Sequence, residues 1–451
     1  MKTFLFGTAS AVAALCAAPA LAQDTAPPAE SAFAGPYVGM QIGRSKLESI
    51  HSDSDYYYNG EKDGTTLDRR VTFGLRAGYD FVSGPLIAGA LAEVNFGKFD
   101  TFKAPYSDGG DEQYAIGTRV SRYGSVRGKI GLTDGNLAAF VTAGLARSNA
   151  RQRFSEIDEV QPDFFSNKGD RSGTVIGLGV DYAIGRSNIG LDYSEYRFGT
   201  RSQQVIEGFD GGGSGNFYDM RYNLKSLSLT YAYRFGGSGV ASAAPASSAF
   251  SGPYVGLRVG MGEMNAKHRD LDYWYDGIDR GVTTDRNGLV GFQLGYDHLI
   301  GNLLVGGLAE VNFGKLNSFQ SVGADPGDLT YGIGVRTSRV GSVRAKGGFV
   351  SGNLAAYGTV GFARSDATMK FREEDGSDQL FDGKGDRSGY VVGIGAAYAL
   401  GQGSSLGLDY SEYRFGKQRS QLRNSDGTPQ DYFFDQHYKA RAISLVFNYG
   451  F

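Results

Sequence analysis

The chain contains two copies of one sequence, and this repetition limits the folds open to it more than any other feature. The segment LAEVNFGK at Leu91–Lys98 returns unchanged at Leu308–Lys315. Likewise, LDYSEYRFG at Leu191–Gly199 returns unchanged at Leu408–Gly416. A period this long indicates a duplicated domain, since solenoid repeats span about 20–50 residues. An interpretation of one copy can therefore be checked against the other.

The N-terminus has the pattern of a secretory signal peptide. Lys2 gives it a positive start, and the apolar run Phe4–Leu15 is too short to span a bilayer. A small-x-small site, Ala20-Leu21-Ala22, precedes Gln23. We therefore expect residues 1–22 to be removed on export, leaving a tail at 23–35. The only cysteine is Cys16, so the mature chain should have no disulfide or thiolate metal site.

The composition favours strands over helices. The 451 residues include 69 Gly, 28 Tyr and 29 Phe but only 11 Pro, which suits curved, aromatic-rich sheets. After the signal peptide no apolar run is long enough for a membrane helix. The formal net charge of −3 gives no reason to expect nucleic acid as a partner.

Eight strands are predicted in the first copy. In Val71–Phe81 the residues alternate between an apolar face and a polar face, the two-residue period of a half-buried strand. The predicted strands are Tyr37–Leu47, Arg69–Val82, Pro85–Phe99, Tyr114–Leu132, Leu137–Asn149, Arg171–Ile184, Ile189–Gly199 and Met220–Phe235.

Short and long connections alternate along these strands. Turns such as Ser83-Gly84 and Gly185-Arg186-Ser187-Asn188 contrast with long polar connections such as Glu48–Asp68 and Ala150–Asp170. In an up-and-down barrel every second connection lies at the same end, and outer-membrane barrels have short turns at one end and long loops at the other. With charges on the inner face and aromatics outside, the sequence predicts an all-β, transmembrane, antiparallel barrel in each copy.

The GPYVG opening, the Glu-Tyr-Arg-Phe sequence of strand seven and the aromatic end of the last strand resemble the opacity-type outer-membrane β-barrel proteins of Gram-negative bacteria. These include the surface antigens of alphaproteobacteria, and the resemblance covers both copies. It implies an outer-membrane location and a porin-like barrel fold. The family usually has one barrel per chain, so the duplication departs from its common pattern.

Two arrangements of the copies fit the sequence. Residues 36–235 and 250–451 can form two tandem eight-stranded barrels joined by the Gly/Ala/Ser-rich linker 236–249. Alternatively, all strands can form one 16-stranded barrel. The length of the linker and the complete closing strand before Phe235 favour two barrels. Opposite charges in a narrow lumen would also pair and fill it.

The charged residues on the predicted inner face are candidates for a structural ion network, since buried charges must be paired. In the first copy they are Arg76, Glu93, Arg119, Arg127, Lys129 and Asp192. In the second copy they are Arg258, Glu310, Arg336, Arg344, Lys346 and Asp409. A proton or ion path through Glu93 and Glu310 is the functional alternative.

Two further sets of residues face outward in this interpretation. Cations about ten residues from the short-turn end would reach the phosphates of the outer lipid headgroups, predicting contact with lipopolysaccharide. They are Arg122, Arg147, Lys225, Arg339, Arg364 and Arg441. At the C-terminus, Tyr449 and Phe451 complete an alternating aromatic strand that resembles the signal recognised by the outer-membrane assembly machinery.

These features predict an integral outer-membrane protein with a structural and surface-interaction role and no catalysis. No His–Ser–carboxylate set recurs in both copies, and no cofactor or metal motif is present. Two alternatives stay open. One is a passive, porin-like channel for small solutes. The other is an adhesin or ligand-capturing surface antigen, suggested by the loop aromatics Tyr56–Tyr58 and Tyr273–Tyr275, with an extracellular ligand that the sequence does not identify.

Overall fold

The structure, a computed structural model, describes residues 31–53, 64–107, 113–156, 165–207, 212–235, 245–270, 281–322, 331–373, 381–401, 403–424 and 426–451. Antiparallel strands account for most of these residues. Within the same ranges no helix has the length and apolarity needed to cross a membrane.

The first copy closes into a ring of eight antiparallel strand positions. β3 and β4 share one position, because both pair with β5. The ring closes where β1 pairs with β9 and where β3 pairs with β5. Its strands are β1 Gly35–Asp53, β2 Gly64–Ser83, β3 Leu86–Asp100, β4 Lys103–Ser107, β5 Gln113–Asp134, β6 Leu137–Glu156, β7 Phe165–Ile184, β8 Ser187–Glu207 and β9 Gly212–Arg234.

The second copy closes in the same way, with β10 paired to β21 and β12 paired to β14. Short breaks divide four of its strand positions in two. The strands are β10 Gly252–Asp270, β11 Gly281–Ile300, β12 Leu303–Asn317, β13 Gln320–Val322, β14 Tyr331–Ser351, β15 Leu354–Ser365, β16 Thr368–Glu373, β17 Phe381–Lys384, β18 Arg387–Gly401, β19 Ser404–Phe415, β20 Gln418–Arg423 and β21 Pro429–Gly450.

Each copy thus closes on its own strands, which confirms the prediction of two tandem eight-stranded barrels. The alternative of one 16-stranded barrel is wrong, because it would need β9 to pair with β10, whereas these strands pair with β1 and β21. Of the predicted linker, residues 236–244 lie outside the described residues. A single 3-10 turn, Ser248–Phe250, precedes the second barrel.

Tight turns gather at one end of each barrel. In the first barrel, the turns begin with Gly84, Gly135 and Gly185, whose φ angles are 56°, 58° and 59°. Glycine is favoured there because two-residue hairpin turns need positive φ, which costs other residues energy. Gly301 and Gly352 have the same role in the second barrel, with φ of 61° and 54°.

An apolar belt surrounds each barrel above these turns. Along β1, Val38, Met40 and Ile42 are 47%, 60% and 45% exposed, while Gln41 between them is buried. Outward apolar and inward polar residues are the inverse of a soluble barrel and fit a wall in lipid. We call the following exposed residues the apolar belt: Val38, Met40, Ile42, Val71, Phe73, Leu75, Val126, Leu145, Leu227 and Leu229, with Val255, Leu257, Val259, Met261, Val290, Phe292, Val343, Phe362, Ile443 and Leu445.

The strands continue well beyond the belt on the side away from the tight turns. β1 runs from the belt residue Ile42 on to Asp53, and β8 and β9 reach Glu207 and Gly212. Parts of the connections predicted as loops are therefore paired strands, so those predicted boundaries are wrong. The extensions are stable because their inner faces bury an apolar core that includes Leu47, Phe154 and Met220.

A β-bulge interrupts β5 just beyond the belt. The register with β6 shifts between Val120 and Tyr123, so the backbone amides of Ser121 and Arg122 both donate to Asn149 Oδ1, at 3.1 and 2.8 Å. A bulge inserts one residue and reverses which face the following side chains occupy.

The second barrel has the same device. There the backbone amides of Ser338 and Arg339 donate to Asp366 Oδ1 at 2.9 and 2.8 Å.

Candidate functional site

The centre of the first lumen is an ion pair between Glu93 on β3 and Arg127 on β5. Arg127 Nη2 lies 2.5 Å from Glu93 Oε1, and the two side chains are 1% and 0% exposed. Ser125 donates to the same carboxylate at 2.8 Å, Gln41 donates at 3.1 Å, and the Tyr196 hydroxyl also donates to it. This number of donors is what a buried carboxylate needs to remain charged.

A second carboxylate, Asp192 on β8, lies beside this pair. It is 3.6 Å from Arg76 and 3.7 Å from Arg127, and it accepts a hydrogen bond from Ser194 at 2.5 Å. Two acids thus face two arginines in the middle of the lumen, and the charges balance.

Nearer the tight turns, Asp80 holds two more cations. Lys129 Nζ and Arg234 Nη2 each lie 2.7 Å from Asp80 Oδ2. The ammonium of Lys129 also lies 4.3 Å from the centre of the Phe140 ring and 5.4 Å from that of Tyr37, within the range of cation–π attraction.

The turn end of each lumen is closed by a phenylalanine. Phe33 is 0% exposed and packs with Ile87, Ala138 and Ala183, while Arg234 donates to its carbonyl oxygen. In the second barrel Phe250 packs in the same way against a cluster that includes Leu304, Val350 and Ala355. This role was not predicted from the sequence, although both residues open the repeated motif F-x-GPYVG.

The second lumen repeats the network with two differences: one arginine is supplied by a different strand, and Gly450 occupies the position of Arg234. Glu310 pairs with Arg344 and, at 3.1 Å, with Arg258. Asp409 lies 2.8 Å from Arg258, and Lys346 lies 2.6 Å from Asp297.

Above the ions, both lumens are packed with aromatic rings. In the first barrel Tyr123 meets Tyr196 edge-on at 5.0 Å between ring centres, and Phe198 stacks on Tyr222 at 4.7 Å. In the second, Phe415 stacks on Tyr438 at 4.5 Å. Each lumen is therefore filled in three layers: a phenylalanine at the turns, an ion network, and an aromatic layer.

Two histidines lie in this upper region, beyond the belt and outside the membrane-spanning segments. His51 on β1 and His268 on β10 are 217 residues apart and are 1% and 2% exposed. Burial lowers the pKa of His51 to about 4. Burial, with a smaller contribution from His437, lowers the pKa of His268 to about 3. His51 falls within the connection Glu48–Asp68 that was predicted as a loop, so that boundary is wrong. The signal in the sequence was the return of a histidine after one repeat of 217 residues.

The structure places most of the predicted inner charges inside the lumens. Arg119 and Arg336 are exceptions, and for them the prediction is wrong. Both are exposed, and Arg119 instead pairs with Asp100 on the outer surface at 2.7 Å. The cause is the bulge, because the alternation counted from the belt changes phase before it reaches these residues. The inward-facing members are Arg76, Glu93, Arg127, Lys129, Asp192, Arg258, Glu310, Arg344, Lys346 and Asp409.

The six predicted lipid-facing cations separate into two groups. Arg147 and Arg364 are exposed at the belt edge and pair with Asp170 and Asp386 at 2.8 and 2.6 Å. Arg339 is exposed there as well, and Arg122 is half-buried.

Lys225 and Arg441, in contrast, are mostly covered, with 9% and 16% of their side chains exposed. They lie where the two barrels meet, and Lys225 is 3.4 Å from Glu263 of the second barrel. The prediction that these two side chains project into lipid is therefore wrong.

A cleft of about 60 Å³ opens between the barrels just beyond the belt. Its lining is dominated by cations from both barrels, with Glu48 as the acid among them. The cations of the lining are Lys46, Arg69, Lys267, Lys439 and Arg441.

At the C-terminus, Tyr449 and Phe451 are 51% and 73% exposed on the outer face of the last strand. The backbone amide of Phe451 donates to Pro253 O at 3.2 Å, which holds the end of the chain against β10. Among the described residues no group of three or more His, Cys, Asp or Glu side chains is arranged to hold a metal ion.

A family model described as the outer membrane protein beta-barrel domain matches residues 8–235 and again residues 237–451. The chain belongs to this family. Membership implies an outer-membrane location and agrees with the closed barrels and their apolar belts. No curated protein matches the chain.

Solved structures of other barrels are similar to this barrel pair. One is Ail, the attachment invasion locus protein of Yersinia pestis, at 13% identity and a TM-score of 0.24, covering 44% of this chain and 99% of Ail. Another is the P. putida toluene transporter TodX, at 10% identity and a TM-score of 0.27, covering 93% of this chain and 91% of TodX. A third is the β domain of the Bordetella autotransporter BrkA, at 12% identity and a TM-score of 0.22, covering 92% of this chain and 100% of that domain. Proteins this distant say nothing about the activity of this chain.

Proposed function

We propose that the protein is a non-conducting, non-catalytic pair of outer-membrane barrels with a structural and surface-interaction role. The observation that carries this proposal is the filled lumen. The central ion pair is closed to solvent in both barrels, with Glu93 and Arg127 at 0% and 1% exposure and Glu310 and Arg344 at 0% each. Eight strands leave an interior just wide enough for side chains, whereas 16–18-stranded porins leave an aqueous channel.

The same burial argues against catalysis and against a proton path through the lumen. Glu93 and Glu310 have arginine partners, and no solvent-accessible face of either carboxylate is left for a substrate. Phe33 and Phe250 close the turn end below them, and stacked rings close the other end. The alternative of a porin-like solute channel would require these layers to move aside.

Among the described residues, the strand extensions and the belt edge are available for interaction. The exposed Arg147, Arg339 and Arg364 end the belt at the level of the outer headgroups, and they support the proposed contact with lipopolysaccharide phosphates. The outward Tyr449 and Phe451 support recognition by the assembly machinery. An adhesin role stays the second candidate, and the loop aromatics at 56–58 and 273–275 lie outside the described residues.

The test is conductance of the purified chain in planar bilayers, with a 16-stranded porin reconstituted in parallel. We expect no stable channel openings from the chain at protein amounts that give many porin channels. Large, stable conductance would exclude a filled lumen and would favour the channel alternative.

A further inference from the structure

The two barrels contact each other through equivalent surfaces. The Tyr193 and Tyr410 rings stack at 5.0 Å between centres, and both occupy the same position of the repeated motif LDYSEYRFG. β6 likewise touches its counterpart β15, and β2 touches its counterpart β11. Contact between equivalent residues is what a twofold axis produces, so the pair has the geometry of an isologous dimer within one chain.

The charges at this interface are not equivalent. In the first barrel Lys46 lies directly opposite Lys225 on the paired strand, a like-charge arrangement that destabilises a sheet. At the matching place in the second barrel Glu263 lies opposite Arg441, which is an attractive pair. The difference is one charge reversal, because Glu263 occupies the position of Lys46, 217 residues later.

Glu263 joins the cations of both barrels. It lies 3.4 Å from Lys225 of the first barrel, 2.6 Å from Arg286 and 3.5 Å from Arg441. In the first barrel Glu48 lies 3.6 Å from Lys225 and also pairs with Lys46, and Glu195 lies opposite Lys225 on β8. The like-charge lysine pair is therefore neutralised in part from across the interface.

We propose that Glu263 determines which partner the first barrel accepts on this face: a second barrel that carries a glutamate at this position, and not another copy of the first barrel. By the twofold geometry, a second first barrel would bring Lys46 to the place of Glu263, and four lysines would then face only the Glu48 of each barrel among the groups nearest to them at a covered surface. Such repulsion gives specificity because like charges in a covered interface cost much more than exposed ones.

The test uses the full chain with a protease site inserted between Phe235 and Pro245. The protein is folded in detergent, its fold is checked by gel mobility with and without boiling, and it is then cut. We expect the wild-type halves to stay together in size-exclusion chromatography and native mass spectrometry. Glu263→Lys should weaken their association at least about tenfold. The matched control is Asp386→Lys, which reverses a carboxylate at the belt edge that is 49% exposed and should leave the halves together.

Exchanging the two charges distinguishes a role of Glu263 in the association of the barrels from a role within its own barrel. In the double variant Lys46→Glu/Glu263→Lys, the glutamate moves to the equivalent place in the first barrel, opposite Lys225 and facing Arg441 across the axis. Association should recover towards that of the wild type. Wild-type halves that separate once cut, Glu263→Lys halves that stay together, or a double variant that recovers no association would each overturn the proposal.

Discussion

Arg76 in the first barrel and Arg258 in the second neutralise equivalent lumenal aspartates, Asp192 and Asp409, from different strands. Position 76 on β2 corresponds to Gln293, and position 258 on β10 corresponds to Gln41. The chain has thus exchanged an arginine and a glutamine between two inward positions. Besides Arg127 or Arg344, the lumen therefore needs one further arginine within reach of the aspartate, and either of two strands can supply it.

This exchange predicts the outcome of a swap in the first barrel. Arg76→Gln alone removes one arginine from the buried Asp192 and should lower the free energy of unfolding by about 3 kcal/mol, as breaking a buried ion pair does. Adding Gln41→Arg reproduces the second barrel and should recover more than half of the loss. Urea unfolding in detergent measures both, and Arg119→Gln, at an exposed pair, is the control that should cost less than about 1 kcal/mol. A double variant no more stable than Arg76→Gln would show that the two copies tolerate different networks.

The bulge in β5 predicts which arginines are reachable from outside. A cysteine in place of Arg119 should react with a membrane-impermeant maleimide on intact cells, because the Arg119 side chain is 50% exposed. A cysteine in place of Arg127, 1% exposed in the lumen, should react only after unfolding. The predicted removal of Cys16 with the signal peptide leaves no background thiol. Equal protection of the two cysteines would mean that the side chains of β5 alternate without interruption and that the bulge is absent.

The sequence predicts the structure where local rules determine which way each side chain faces. Strict alternation within the belt made the barrel, its strands and the inward Arg127 and Lys129 predictable, since each residue there faces either lipid or lumen. The bulge was not predictable, because it depends on a side chain of the neighbouring strand, Asn149 or Asp366, accepting two amides. The burial of Lys225 could not be predicted from the sequence either, since it depends on how two separate barrels pack.

Acidification should loosen the extracellular ends of both barrels. His51 and His268 have folded pKa values of about 4 and about 3, below the ordinary 6.5, because burial penalises the imidazolium. Protons therefore bind the open state first. The two neutral histidines make their full contribution to the free energy of unfolding above about pH 6.5. That contribution falls as the pH drops towards the pKa values of the folded state, by about 1.4 kcal/mol per pH unit for each histidine.

Hydrogen exchange of the strand extensions at pH 7 and pH 4.5 measures this loss. The double variant His51→Gln/His268→Gln should show a smaller difference between the two pH values. His298→Gln, at an exposed site beside a tight turn, serves as the control and should behave as the wild type does. An unchanged pH response in the double variant would assign the effect to other groups.

Deleting Phe451 should reduce the amount of folded protein in the outer membrane. The residue completes the outward aromatic row of the last strand, and its backbone amide bonds to Pro253 O. Quantitative blotting of outer-membrane fractions measures the effect. Phe235→Ala is the control, because it changes the equivalent closing residue of the first barrel, which is not at the C-terminus. Normal membrane levels after the deletion would contradict an assembly signal at Phe451.

The final prediction concerns the two copies made separately, as residues 23–236 and 247–451. Each should fold into a heat-modifiable barrel, because each ring closes on its own strands and fills its own lumen. The first should be the less stable in urea, because its Lys46 and Lys225 lose Glu263, while the second keeps Glu263 opposite Arg441. Lys46→Gln should narrow that difference by removing the repulsion at its source. Halves that fold only when mixed would mean that closure depends on the partner, and then the independent barrels, as well as the non-conducting lumens argued from them, would have to be abandoned.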